Sequence, residues 1–146
     1  MNKESLLNEW LQEESVAHIH GWDFSHIHGR YEEENDLPWD YGKVIHKYLS
    51  PQMKLLDIDT GGGEFLLSLH HPACNVSATE AYPPNVELCR EILLPLGIDF
   101  READGLGILP FDDETFDLVI NRHGDFNEKE IRRVLKPGGI FITEQV

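Results

Sequence analysis

Two carboxylates and three glycines lie in a run of seven residues that directly follows a short apolar segment. They are Asp57, Asp59, Gly61, Gly62 and Gly63. Glycine has no Cβ, so it adopts positive φ readily and lets the backbone approach a ligand closely. A helix that begins directly after such a turn aims free N–H groups at the same ligand. The stretch therefore predicts a strand, a tight turn and a helix that together bind a nucleotide.

Two classes of nucleotide compete for a turn of this kind. The dinucleotide fingerprint GxGxxG requires a third glycine three residues after the second one. Counted from Gly61 and Gly63, that position holds Leu66, so the frame fails. A nicotinamide dehydrogenase is therefore a weak interpretation. A glycine-rich turn that binds no ligand remains an alternative for this stretch taken alone.

Polar residues also end the later strands that the pattern predicts. Glu80 closes a second strand, Asp104 follows a third, and Asn121 ends a fourth. In an open α/β sheet the ligand lies outside the carboxyl ends of the strands. A carboxylate at Glu80 is suited to accept two hydrogen bonds from a ribose diol. His123 comes just after the fourth strand and is a candidate general base, although a histidine on a surface loop fits the same pattern.

Apolar periodicity predicts the elements that must position these residues. After the first strand, which Asp57 closes, further strands are expected at Val76–Glu80, Ile98–Ala103, Phe116–Asn121 and Ile140–Gln145. Helices are expected at Glu4–Val16, Trp39–Leu49, Pro84–Leu94 and Glu128–Leu135. Asn127 and Glu130 form an N-terminal cap for the last helix, and the KPGG run from Lys136 ends it. Strands alternating with helices predict an α/β, doubly wound, Rossmann-like parallel sheet of about five strands, in order 3-2-1-4-5 with helices on both faces.

The glycine turn resembles the (D/E)xGxGxG signature of class I S-adenosylmethionine-dependent methyltransferases, with Asp59 where the family has its first glycine. The stretches Ala103–Asp117 and Arg133–Ile140 are also similar to this family, in particular to its type 11-like members. By this resemblance Asp104 hydrogen-bonds the adenine amine and Gly105 offers backbone groups. The remaining cofactor contacts would come from Asp57, Asp59, Gly61, Gly62, Gly63, Glu80 and Asn121.

The resemblance implies the cofactor-binding portion of a methyltransferase that acts on a small molecule. It covers about Lys54–Val146 and ends at the fifth of the family's seven strands, as in a short natural protein or a truncated one. The motif that marks the amino-methylating branch is absent after Asn121. A binding module that holds the cofactor or its product without turnover, or an inactive fragment, is the alternative. The methyl acceptor is not identified by the sequence.

Length and charge limit the remaining possibilities. A chain of 146 residues fits one structural domain, with an N-terminal helical extension (1–53) packed on a core (54–146). Its 12 basic and 27 acidic side chains give a net charge of −15, which repels nucleic-acid backbones. Two cysteines without metal-ligand spacing, and no long apolar run, predict a cytoplasmic protein without a membrane span.

Three further expectations concern surfaces. The apolar stripe of Glu4–Val16 is expected to pack on the core. The pairs His18/His20 and His26/His28 have the spacing of metal ligands, but no further ligand completes a set, so no metal is expected. Finally, an apolar fifth strand at the edge of the sheet predicts a homodimer, unless the irregular stretch Ala17–Tyr41 covers that edge.

Overall fold

The computed structural model describes residues 2–17, 19, 21–32 and 36–145 and contains one parallel sheet. Its strands are β1 Leu55–Ile58, β2 Val76–Glu80, β3 Asp99–Glu102, β4 Phe116–Arg122 and β5 Leu135–Glu144. They lie in the order β3-β2-β1-β4-β5, and all four neighbouring pairs are parallel. The predicted fold class and strand order are confirmed.

Five α-helices accompany the sheet within the described residues. They are α1 Lys3–Val16, α2 Tyr41–His46, α3 Glu64–Ser68, α4 Pro83–Ile92 and α5 Glu128–Val134. Helix α2 begins two residues later than predicted, because the Asp40 carboxylate accepts a hydrogen bond from the Lys43 N–H at 2.9 Å and caps the helix there. None of these helices is long and apolar enough to cross a membrane, as far as the described residues extend.

Helices cover both faces of the sheet, and β1 lies at its centre with all four residues buried. On one face Leu55 packs with apolar residues of α2, α3 and α4, among them Ile45 and Cys89. On the other face Leu56 packs with α5 and the segment before β4. Successive side chains of a strand point to opposite faces, so this short apolar strand contributes to both cores.

The start of β5 differs from the prediction. Leu135 already pairs with Phe116, and Ile140 pairs with Leu118, so residues 136–139 form an insertion within the strand. The prediction that the fifth strand begins at Ile140 is therefore wrong. The Lys136 ammonium binds both carboxylate oxygens of Asp117 at 2.9 Å, an ion pair across the two strands that holds the insertion against β4.

Helix α1 buries none of its side chains, so the prediction that its apolar stripe packs on the core is wrong. Leu7, Trp10 and Leu11 are each more than half exposed. The side-chain contacts that tie this helix to the chain are polar: Glu13 binds Arg30 at 2.9 Å and His26 at 3.3 Å. Exposed ion pairs contribute little to stability, so they do not replace apolar burial.

Candidate functional site

The glycine turn lies at the carboxyl edge of the sheet, between β1 and α3. Gly61 and Gly63 have φ of 66° and 84°, a region that L side chains rarely adopt. The Thr60 hydroxyl donates to the Asp57 carboxylate at 2.7 Å, and the Thr60 N–H donates to the carbonyl of Thr79 at 3.0 Å. These bonds fasten the turn to β1 and β2.

Glu80 is buried at the end of β2, next to this turn. One carboxylate oxygen accepts the N–H groups of Ala81 and Tyr82, both at 2.9 Å. The other accepts the Gly61 N–H at 2.8 Å and the Asn85 amide at 3.4 Å. The structure thus places Glu80 beside the turn, where a ribose contact requires it. The same carboxylate also fixes the position of the turn.

Asp59 has φ of 56°, and its carboxylate lies among the loops that follow β3 and β4. A Cβ added to Gly105 or Gly124 would come within 2.8 Å or 2.6 Å of its Oδ2, so both positions need glycine. Burial, and then the neighbouring carboxylates of Glu80, Asp104 and Asp125, raise the pKa of Asp59 to about 7. Burial also raises the pKa of Asp57 to about 7. This edge therefore favours a ligand that brings positive charge or hydrogen-bond donors.

The other residues at the strand ends differ in their solvent exposure. Asp104 is exposed and accepts the Leu106 N–H at 2.8 Å. Gly105 is buried, and its carbonyl accepts the Asn127 N–H at 3.0 Å. Asn121 is fully buried: its amide donates to the Ile58 carbonyl at 3.1 Å and accepts from the side chain of Gln145 at 2.7 Å. Asn121 thus joins β1, β4 and the end of β5.

His123 lies just beyond β4 with φ of 63°, which is unusual for a residue other than glycine. Its N–H donates to the Glu144 carbonyl at 2.8 Å. Its Nε2 lies 3.9 Å from the Glu144 carboxylate. Its Nδ1 is buried without a hydrogen-bond partner among the described residues. The ring packs edge-on against Trp22, with centroids 5.7 Å apart.

Sequence reasoning missed the segment that crosses this edge. The Gly21 N–H donates to the Asn85 side chain at 2.7 Å. The Trp22 indole lies against the glycine turn, its Nε1 3.1 Å from where a Cβ on Gly61 would lie. The sequence feature that could have indicated this segment is the frequency of glycine and aromatic residues in a stretch without regular periodicity. A cavity of about 520 Å³ opens beside Trp22, lined by Trp22, Phe24, Ile27, Tyr31, Glu32, Arg122 and His123.

Two aromatic residues at or just before the start of α2 contact the last two strands of the sheet. The Tyr41 hydroxyl is directed at the carbonyls of Asn121 at 3.0 Å and Ile142 at 3.1 Å, and burial raises its pKa well above the usual value. Trp39 donates to the Glu144 carboxylate at 3.0 Å. Both therefore pack beside β4 and β5. Trp22 is the aromatic residue that lies on the glycine turn.

The histidine pairs contribute no metal site to the described part of the chain. His18 and His20 lie outside the described residues. His26 contacts Glu13, as noted for α1. No three His, Cys, Asp or Glu side chains among the residues described are placed to hold one ion.

Comparison with known proteins connects this site with a protein family. The model of the methyltransferase domain family matches residues 56–143, which include the glycine turn, Glu80, Asp104 and His123. The chain belongs to this family. S-adenosylmethionine is the cofactor that membership of this methyltransferase family implies.

Three matches show how far the likeness extends. A probable phthiotriol/phenolphthiotriol dimycocerosates methyltransferase of Mycobacterium ulcerans is 36% identical over 89 residues, 56% of this chain and 33% of that protein. A ubiquinone/menaquinone biosynthesis C-methyltransferase of Bordetella avium is 29% identical over 143 residues, 82% of this chain and 54% of that protein. A solved structure from Pyrococcus horikoshii has a TM-score of 0.58 and 30% identity, and the match covers 69% of this chain and 52% of that one. The matches to these three proteins thus span between a third and somewhat over half of their lengths.

The residues at the edge of this methyltransferase domain fit the cofactor. S-adenosylmethionine offers donors and positive charge: ribose hydroxyls, an adenine amine, an ammonium group and a sulfonium. The edge offers acceptors and negative charge at Asp59, Glu80 and Asp104, and the pKa of Asp59 is raised first by burial and then by its neighbouring carboxylates. The chemistry of the two sets is complementary.

Proposed function

We propose that this chain is the cofactor-binding portion of an S-adenosylmethionine-dependent methyltransferase that acts on a small molecule. The observation that carries the proposal is the acidic edge around the glycine turn, where Glu80 is bonded to the turn and Asp59 lies among further carboxylates. Such an edge attracts a cation with hydroxyl and amine donors. It repels the pyrophosphate of a dinucleotide, which agrees with the failed GxGxxG frame.

Each predicted site residue has a role in this proposal. Gly61, Gly62 and Gly63 allow the cofactor to approach the backbone, and Glu80 accepts from its ribose. Asp104 accepts from the adenine amine, with backbone groups at Gly105. Asp57, Asp59 and Asn121 contribute to the cofactor site indirectly. They hold the turn and the strand ends in place.

The chemistry divides between the cofactor and the chain. When bound, the cofactor supplies an electrophilic methyl group on a positively charged sulfur. The chain orients the acceptor and receives its proton. We propose that His123 receives this proton, because its ring borders the cavity beside Trp22.

A small acceptor is supported by the cavity and by the relatives. The cavity of about 520 Å³ has the size of a site for a drug-sized molecule. The mycobacterial and Bordetella relatives are named for methylation of lipids and quinones. The charge of −15 disfavours nucleic acid as a substrate. We place the protein in the cytoplasm, on its two unpaired cysteines, Cys74 and Cys89.

The same proposal includes the organisation of the chain and its assembly. Residues 1–53 form an extension that packs on the core (54–146) through its part after α1, which is supported by the burial of Tyr41 and Ile45 in the core and by Trp22 on the glycine turn. A homodimer forms through the free edge of β5. Ile140, Phe141 and Ile142 there are only half-buried.

Calorimetry separates this function from its alternatives. Titration with S-adenosylmethionine, S-adenosylhomocysteine and NAD should give micromolar binding for the first two and none for NAD. Turnover on a panel of small metabolites, with the full gene product, then separates an enzyme from a module that only holds the cofactor. Binding of NAD alone would contradict the proposal.

A further inference from the structure

Two glycines of the turn are covered by other parts of the chain. A Cβ added to Gly61 would lie 3.1 Å from Nε1 of the Trp22 indole. A Cβ added to Gly62 would meet the carboxylate of Glu64, the first residue of α3. The absence of a Cβ is what allows a ligand to approach the backbone closely at such positions. In this structure the chain itself fills the space that the proposed function gives to the cofactor.

Glu80, which the proposed function pairs with the ribose, is also closed off from solvent. It is only 6% exposed, and its carboxylate already accepts four hydrogen bonds from the protein. One of the donors is the Asn85 amide, whose oxygen accepts the Gly21 N–H at 2.7 Å. The segment that covers Gly61 is thus joined through Asn85 to the carboxylate that a ribose has to reach. A cofactor contacts Glu80 only after a neighbouring group has moved.

The residues that lie over the turn, Gly21 and Trp22, are here called the clasp, and their packing is specific. Gly21 has φ of 57°, which favours glycine, and a Cβ there would displace the carboxylate of Glu64. The Trp22 ring packs edge-on against Phe24, with centroids 5.9 Å apart, and against His123 at 5.7 Å. The residue types at these two positions therefore suit a close contact with the turn.

The clasp is nevertheless attached weakly enough to open. The Trp22 side chain is 46% exposed, and its indole N–H has no hydrogen-bond partner within the part of the chain that the structure describes. The Gly21 N–H contributes a single hydrogen bond, to Asn85. One such bond and a half-exposed ring favour the closed arrangement only modestly, so a ligand of ordinary affinity can displace them.

We propose that the clasp closes the cofactor site of the free chain and moves away when S-adenosylmethionine binds. The clasp and the cofactor then compete for the space over Gly61. The apparent affinity for the cofactor is lowered in proportion to the fraction of molecules that is open. This inference rests on the proposed function, because it concerns the regulation of the same site.

Two substitutions that loosen the clasp test the competition. Trp22→Ala removes the ring that lies on Gly61, and Gly21→Ala strains the backbone and displaces the Glu64 carboxylate. We expect each variant to bind S-adenosylhomocysteine about three- to tenfold more tightly than the natural chain in calorimetry, because only the closed state loses contacts. Equal or weaker binding by Trp22→Ala would overturn the proposal.

Two matched controls separate the clasp from changes elsewhere in the N-terminal extension. Gly29→Ala also places a Cβ at a positive φ, of 79°, but nothing lies within 4 Å of that Cβ. Trp10→Ala removes an exposed ring of α1. Both controls should bind S-adenosylhomocysteine like the natural chain. An equal gain of affinity in either control would overturn the proposal, since the contact with the turn would then not matter.

Hydrogen exchange followed by mass spectrometry tests the movement in the natural chain, without any substitution. In saturating S-adenosylhomocysteine, a peptide that contains Gly21 and Trp22 should exchange faster than in the free protein, whereas a peptide that contains Gly61 should exchange more slowly. Slower exchange in both peptides would mean that the segment closes over the bound cofactor, and would overturn the proposal.

The clasp and the proposed function fail in different ways. Binding of S-adenosylhomocysteine by the natural chain, without a gain of affinity in Trp22→Ala, would overturn the clasp and leave the proposed function intact. No binding by the natural chain or by either loosened variant, all of them folded, would overturn the proposed function and the competition with it. Binding by the natural chain that tightens in both loosened variants supports both.

Discussion

Asp59 shows how one residue can break a motif and still suit its place. The family has glycine at this position, and Asp tolerates the left-handed backbone better than most other side chains. Its carboxylate fills the space left by Gly105 and Gly124. The sequence predicts that Asp59 belongs to the turn, but the direction of its side chain depends on two loops far away in the chain.

The acidic cluster makes stability depend on pH. The pKa of Asp59 is about 7 in the folded protein and 3.8 ordinarily, so folding disfavours the charged form. This cost is absent below about pH 4 and complete above about pH 7, and stability falls between these values. Asp59→Asn should therefore be more stable than the natural chain at pH 8, with the difference vanishing near pH 4. Urea midpoints at both pH values measure this.

A matched control distinguishes the cluster from charge in general. Asp112→Asn removes an exposed carboxylate from the same highly acidic chain. It should shift the urea midpoint little at either pH. An Asp59→Asn effect of equal size at pH 4 and pH 8 would mean that packing, and not charge, decides the role of this residue.

Glu80 is the residue whose place the sequence predicts best. The spacing puts it at the end of β2, but its four protein donors could not be predicted, since three are backbone N–H groups whose directions are set only in the folded chain. Glu80→Gln keeps the shape and replaces an acceptor oxygen with a donor. We expect cofactor binding to weaken about tenfold or more, the value of a charge-assisted hydrogen bond.

The control for Glu80 lies on the neighbouring helix. Glu87→Gln changes an exposed carboxylate of α4 and should leave the cofactor affinity unaltered. Calorimetry with S-adenosylhomocysteine compares the two variants. If Glu80→Gln binds as tightly as the natural chain, Glu80 only fixes the turn.

At the scale of elements, local signals predict α5 well. The Asn127 side chain accepts from the N–H groups of Lys129 and Glu130, as its cap pattern indicates. Glu130 and Arg133 then bind the segment before β4, through the backbone of Leu109. The cap joins residues within three positions of each other, so it can be inferred from the sequence. The contact with Leu109 joins distant parts of the chain and is set by packing.

Removing two helix caps tests which helices belong to the cooperative unit. Asn127→Ala should lower the free energy of unfolding by about 1 kcal/mol, because α5 is packed in the core. Asn2→Ala removes the equivalent cap of α1, which buries nothing, and should leave the main thermal transition in place. Thermal unfolding followed by circular dichroism compares them. Equal shifts would mean that α1 folds together with the sheet.

At the scale of the whole molecule, the connection rules for alternating elements predict a parallel, doubly wound sheet, and the order 3-2-1-4-5 is that of a Rossmann-type sheet. Such rules do not predict the position of the segment that carries Trp22, because this position depends on individual contacts with Gly61 and Asn85. The same limit applies at the edge of the sheet. Trp39 and Tyr41 reach the carboxyl end of β5, which is a partial cover that no periodicity predicts.

The free edge of β5 predicts self-association despite the charge of −15. We expect the mass from light scattering to approach that of a dimer as concentration rises, and to do so sooner at higher salt, which screens repulsion between copies. Thr143→Lys puts a charge on the exposed edge and should favour the monomer, whereas Ser15→Lys on α1 should not. A strictly monomeric protein at high concentration would mean that the contacts of Trp39 and Tyr41 suffice to protect the edge.

The central claim is that the acidic edge around Gly61 binds S-adenosylmethionine. Calorimetry of the intact chain with S-adenosylhomocysteine tests it most directly, because this product offers the same ribose and adenine donors without turnover. The account predicts one site per chain with micromolar affinity, weakened about tenfold or more by Glu80→Gln and unaffected by Glu87→Gln. Absence of binding in a folded protein would contradict it, whereas equal binding by the natural chain and Glu80→Gln would remove only Glu80 from the contacts.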